Sequence, residues 1–158
     1  MTAESFKSEG TTGDATLANV KVSDRMEVER GTGHTTITNC EATDITLKNS
    51  TGKVHLTNVR AATLNTKADT GDLTLTNTVA TEMLTVERST GDVTFVDSDA
   101  GEILVETDTG RVTGTLLSDK VFIVRTDTGK IDVPETVTGG KCKITTDTGK
   151  IIIDIKAE

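Results

Sequence analysis

The stretch Asp69-Thr70-Gly71-Asp72-Leu73-Thr74-Leu75-Thr76-Asn77-Thr78-Val79-Ala80-Thr81-Glu82-Met83-Leu84-Thr85-Val86-Glu87-Arg88-Ser89-Thr90-Gly91 holds one full period of this chain. Working outward, its Thr-Gly pair recurs at Gly13, Gly33, Gly52, Gly71, Gly91, Gly110, Gly129 and Gly149, each spaced 19 or 20 residues from the next. Self-similarity at a period of that length is the mark of a solenoid, in which each repeat stacks on its neighbours.

Fixed offsets from each glycine carry the apolar residues. Two and four residues after it stand Val54 and Leu56, Leu73 and Leu75, Val93 and Phe95, Ile151 and Ile153. Seven and five residues before it stand Met26 and Val28, Ile45 and Leu47, Leu84 and Val86, Ile103 and Val105. Strict alternation describes a strand with one buried face. A third side, seven and nine residues after the glycine, is built from small residues such as Cys40 and Ala42, Val59 and Ala61, Ser98 and Ala100. Asn19, Asn39, Asn58, Asn77 and Asp97 precede that side, and asparagine suits a left-handed corner. The fold predicted is all-β: a single-stranded β-helix of about eight coils, right-handed by default, spanning residues 1–158 as a single β-solenoid repeat domain.

Composition agrees. Aromatic residues make up only 2% of the chain and Trp and Tyr are absent, so the core must be narrow enough for Val, Ile, Leu and Thr to fill. One Pro and abundant β-branched residues argue against disorder. The net charge of −8, from 17 basic and 25 acidic residues, disfavours nucleic acid and anionic lipid as partners. No apolar run is long enough to cross a membrane, so direct insertion of this chain is not expected.

The runs Thr126-Asp127-Thr128-Gly129-Lys130-Ile131-Asp132-Val133-Pro134, Gly139-Gly140-Lys141-Cys142-Lys143-Ile144 and Thr146-Asp147-Thr148-Gly149-Lys150-Ile151 resemble a large bacterial family of β-strand-repeat domains that carries an adhesin label. The resemblance implies a single-stranded β-helix without catalytic residues. It also implies an extracytoplasmic or cell-surface setting beside envelope-stress systems, commonly behind a membrane anchor that this sequence lacks.

Several motifs invite sharper readings. Asp-Thr-Gly, the aspartic-protease signature, appears at Asp69, Asp108, Asp127 and Asp147. Those enzymes need two carboxylates converging on one water, whereas solenoid corners stack them in a line beside Arg111, Lys130 and Lys150. His34 and His55 have different offsets, and no metal or cofactor is expected. Coil lengths vary by one residue, so no long loop is available to build a catalytic groove; the chain is expected not to be an enzyme. Cys40 and Cys142 fall five coils apart in sequence order, roughly 24 Å, too far to bond.

Outward positions three and five residues after the glycine form the candidate binding face: Thr36, Thr38, Thr57, Thr74, Thr76, Thr94, Thr113 and Thr115, interrupted by His55, Val96 and Asp132. A cell-wall polymer or an envelope protein is the expected partner of such a face. A flat hydroxyl–methyl lattice is also the kind that ice-binding solenoids use. Leu104 and Ile123, expected to adjoin on successive coils, make a candidate apolar contact. The apolar strand Ile151-Ile152-Ile153-Asp154-Ile155 is expected at one end of the rod, where end-to-end self-association is the structural alternative. Two irregularities stand out: Gly114 where an apolar residue is due, and Pro134, which cannot donate to a ladder.

Overall fold

Alternating Thr, Val, Ile and Leu over short runs, punctuated by corner glycines, leaves strands as the natural elements. In the computed structural model, which describes residues 2–118, 120–134 and 139–155, every described element is a strand. One face is made of long strands: β1 (Thr2–Thr12), β3 (Lys21–Thr32), β5 (Asp44–Thr51), β7 (Arg60–Thr70), β9 (Val79–Thr90), β12 (Lys120–Thr128) and β14 (Gly140–Thr148). The opposite face has short ones: β2 (Ala15–Ala18), β4 (Thr35–Thr38), β6 (Val54–Thr57), β8 (Leu73–Thr76), β11 (Val112–Leu116), β13 (Ile131–Asp132) and β15 (Ile151–Ile155). The remaining strand, β10 (Val93–Thr109), runs unbroken through the third side and belongs to both faces.

All pairings are parallel, and apart from local register shifts at Ala3/Ser5, Ala61/Thr63, Phe95/Ser98 and Ala100/Glu102 each position in the repeat becomes a ladder along the rod. One such ladder reads Phe6, Met26, Ile45, Leu64, Leu84, Ile103, Cys142, Phe122. Between the two phenylalanines its members are buried, and each large aliphatic one contributes about 1.5–3 kcal/mol. The small third side is buried as expected, from Val20 and Val22 to Ser98 and Ala100.

The corners follow the sequence. Asn19, Asn39, Asn58, Asn77 and Asp97 all have positive φ, between 47° and 57°. Asn39 Nδ2 donates to Asn19 Oδ1 at 3.4 Å, and Asn58 Nδ2 to Asn39 Oδ1 at 3.1 Å, so part of the corner is an amide ladder. At the Thr-Gly corner the chain closes so tightly that a Cβ at Gly52 would collide with the carbonyl oxygen of Gly33. Glycine there is required twice over, by contact and by a φ of 139°.

The rungs do not stack in sequence order. The long face runs β1-β3-β5-β7-β9-β10 and then β14 before β12; the short face runs β2-β4-β6-β8-β10-β11 and then β15 before β13. After β11 the chain skips one rung, forms β12 and β13 at the end of the rod, then steps back to fill the gap with β14 and β15. Winding continues in the same direction while the axial step reverses, so this last crossover has the opposite hand to the others, a rare arrangement.

Eight rungs separated by seven steps result. The expectation that Ile151–Ile155 forms an end is therefore corrected: β15 lies between β11 and β13, and Ile151 and Ile153 are buried. Cys40 and Cys142 stand four rungs apart rather than five, roughly 19 Å at the usual spacing; both are free and buried.

Gly140 packs closely on Gly101 in this order. As the backbones run, a Cβ at Gly140 would strike the carbonyl oxygen of Gly101 on the rung below. Lys120 holds the equivalent place in the β12 rung, paired with Gly140. The irregularity at Gly114 is resolved by its neighbours: it pairs with Phe95 on one side and Ile153 on the other, and the buried Phe95 ring supplies volume that the glycine lacks. The ladder breaks register just after Phe95. Pro134 lies just beyond β13, outside any strand.

Candidate binding face and the crossing at its end

The short strands aim alternate side chains outward, which places the predicted threonines in two adjacent ladders. The first reads Thr16, Thr36, His55, Thr74, Thr94, Thr113, Ile152, Asp132. The second reads Ala18, Thr38, Thr57, Thr76, Val96, and resumes with Thr115 beside Asp154. All eight predicted threonines are half-buried. Ile152, brought in by the reversed crossover, interrupts the first ladder, and Val96 is 40% exposed in the second. The unbroken hydroxyl rows are Thr74–Thr94–Thr113 in the first ladder and Thr38–Thr57–Thr76 in the second.

A polar ladder that the repeat alone does not announce flanks this face, at the residue after each corner glycine. Asp14 Oδ1 accepts from the backbone N–H of His34 at 2.9 Å, and His34 Nδ1 accepts from that of Lys53 at 3.0 Å. Further along, Asp72 Oδ1 accepts from Asp92 N at 2.9 Å and Asp92 Oδ1 from Arg111 N at 2.8 Å. These bonds occupy donors that the corners leave unpaired. The Asp-Thr-Gly aspartates Asp108, Asp147 and Asp127 stack on consecutive rungs and are exposed, with Asp69 further down the same edge. They line an edge and do not converge on one point.

Inside the same corner, three residues before the glycine, two arginines are folded inward. Arg30 Nη2 donates to Ser8 Oγ and Arg88 Nη2 to Thr66 Oγ1, both at 2.7 Å, each passing over a small neighbour, Gly10 or Ala68. Burial pulls the Arg88 guanidinium down to about 10, against the attraction of Asp72, which leaves it charged at neutral pH.

Leu104 and Ile123 do not adjoin. The inserted rung puts Lys143 between them, paired with Leu104 on one side and Ile123 on the other. Leu104 is half-buried beside a small cavity of about 190 Å³ lined by Met83, Ile103 and the two lysines Lys141 and Lys143. Ile123 is 48% exposed on the end rung. The single apolar contact expected from the sequence is two separate features.

Where the chain skips a rung, three polar residues meet. Lys120 Nζ lies 2.7 Å from Asp99 Oδ1 and 2.5 Å from Ser118 Oγ, and Ser118 Oγ donates to Asp99 Oδ2 at 2.7 Å. The lysine side chain is buried. A cavity of about 450 Å³ opens beside them, between the third side and Gly139–Gly140. The lysine pairs with Asp99, and the serine hydroxyl donates its hydrogen bond to the other oxygen of the same carboxylate, so one acceptor holds both groups. What the cluster does is pin the skipped step to β10.

Among the described residues no group of three or more His, Cys, Asp or Glu side chains gathers as a metal site, and no helix is long and apolar enough to cross a membrane. The Cys142 thiol, packed between Ile103 and Phe122, is pushed up to about 12 by burial despite the nearby Lys120 ammonium.

A family model described as Toastrack DUF4097 matches residues 1–111 and again residues 44–158, two overlapping placements that a repeating sequence permits. No curated protein and no solved structure matches.

Proposed function

The chain belongs to the Toastrack DUF4097 family, and from that premise we propose that this β-solenoid of uncharacterised function is a non-enzymatic scaffold whose threonine face lies along a cell-envelope polymer. The observation that carries the reading is the pair of ladders through Thr36, Thr74, Thr94 and Thr113 and through Thr38, Thr57 and Thr76. Thr74, Thr94 and Thr113 in one ladder and Thr38, Thr57 and Thr76 in the other present hydroxyl and methyl groups one rung apart, about 4.8 Å, while His55 takes the rung between Thr36 and Thr74. Hydroxyls can bond sugar hydroxyls while methyls cover the apolar C–H faces of sugar rings. A net charge of −8 favours an uncharged glycan over a polyanion such as teichoic acid. This reading places the working protein outside the cytoplasm.

Cosedimentation with purified peptidoglycan sacculi tests it. The 158-residue chain should pellet with sacculi in physiological salt, and a T74R/T94R double variant should stay in the supernatant with an unchanged circular dichroism spectrum. Equal pelleting of both proteins, or of neither, would remove the threonine face from the function.

A further inference from the structure

The two ends of the rod are made of complementary halves. Among the described residues β1 pairs only with β3 and β2 only with β4 at one end, while β12 pairs only with β14 and β13 only with β15 at the other. Unpaired parallel edges are templates for another chain. We propose that copies of this chain stack head to tail, the β1–β2 rung of one copy pairing with the β12–β13 rung of the next.

The register is set by the repeat. Placing Thr12 on Thr128, as Thr12 already sits beside Thr32 within the chain, brings Glu9 over Arg125, Asp14 over Lys130 and Phe6 over Phe122. The first two contacts have internal precedents in the same ladders. Lys67 and Glu87 pair at 3.7 Å at the Glu9/Arg125 position, and Arg111 and Asp92 at 3.5 Å at the Asp14/Lys130 position. Phe6 and Phe122 close the two ends of one apolar ladder, each only partly buried against the core. Joined, they would continue that ladder through the junction and stack two rings.

The end formed by β12 and β13 also carries Val121, Ile123 and Ile131, 37%, 48% and 43% exposed, which a stacked copy would cover. Glu9 now faces Lys7 at 2.9 Å, and Arg125 faces Asp127 at 3.9 Å. Both pairs are solvent-exposed and weak, so they do not hold the groups back. Joining like ends instead would gather Arg125 and Lys130 of both copies, or Glu9 and Asp14 of both, in one interface. A head-to-tail contact between identical subunits does not close on itself when it only translates along the axis, so it yields open rods.

Sedimentation velocity over a concentration series tests the arrangement, with E9R and R125E as probes. The unaltered chain should grow in mass beyond 16.7 kDa without a plateau at the dimer. Each variant alone should remain monomeric at concentrations where the parent assembles, with an unchanged circular dichroism spectrum. Mixing the two variants should restore growth, because each reversed end then meets its opposite. A parent that stays monomeric throughout, a mass that stops at the dimer, or a mixture no larger than its components would overturn the proposal. The result is independent of sacculus binding, which uses the side of the rod and not its ends.

Discussion

Lys120 Nζ reaches Asp99 Oδ1 at 2.7 Å across the step where the chain skips a rung, with the lysine side chain only 3% exposed and the aspartate 22%. Burying an ammonium is unfavourable unless a carboxylate and further hydrogen bonds accompany it; here Asp99 and Ser118 do so together. The contact ties the start of β12, two rungs away, to the third side of β10. Removing one partner leaves the other charge stranded. Asp99→Ala should therefore cost about 3 kcal/mol or more, read as a lower urea midpoint by far-UV circular dichroism, since no Trp or Tyr reports folding. The double variant Asp99→Leu/Lys120→Met should recover most of that loss. A single variant with an unshifted midpoint would show that the pair does not hold the crossing.

Gly114 pairs with Phe95 at a φ of 145°, and a Cβ there would meet the Phe95 backbone. Gly114→Ala should destabilise by about 2 kcal/mol or more through strain and collision. Phe95→Ala, emptying the volume the ring fills, should cost about 3–5 kcal/mol. Thermal melts of both variants that overlay the parent would contradict this account of the irregular coil.

The asparagine corner separates backbone conformation from amide bonding. Asn58 has a φ of 54° and donates to Asn39 Oδ1 at 3.1 Å. Asn58→Gly keeps the conformation and loses the bond, so it should cost under about 1 kcal/mol. Asn58→Val, β-branched at positive φ, should cost clearly more. If the valine variant were the more stable of the two in urea titrations, the corner would not be held by left-handed geometry.

Burial raises the Cys142 thiol from 9.0 to about 12. Between those values the unfolded chain has released its proton while the folded chain retains it, so the unfolded state binds fewer protons and stability falls as pH rises from about 9 towards about 12. Cys142→Ala should flatten that part of the stability curve while lowering it overall. At pH 8, a thiol reagent should leave both buried cysteines unlabelled until urea is added. Rapid labelling of the native protein would show that the β14 rung opens.

Most of the fold was legible in the sequence, because the Thr-Gly period names each corner and the offsets around it name each inward side chain. The threonine ladders, the asparagine corner and the small third side stand where the spacing puts them. Asp99, Ser118 and Lys120 were not legible as a group, since Lys120 comes from the coil that skips a rung and meets them only because of that skip. The separation of Leu104 from Ile123 was hidden for a related reason: adjacency was inferred from order along the chain.

What the sequence by itself determined is the content of every rung, and what only the tertiary structure decided is the order in which the rungs stack. In a parallel solenoid each rung offers its neighbours the same ladder of backbone bonds and the same apolar offsets, so exchanging two rungs leaves the pattern unchanged. The order taken brings with it contacts that the period does not encode: Gly140 close against Gly101, Cys142 between Ile103 and Phe122, and Lys120 reaching Asp99. They accompany β14 and β15 lying inside the rod, with β12 and β13 at its end.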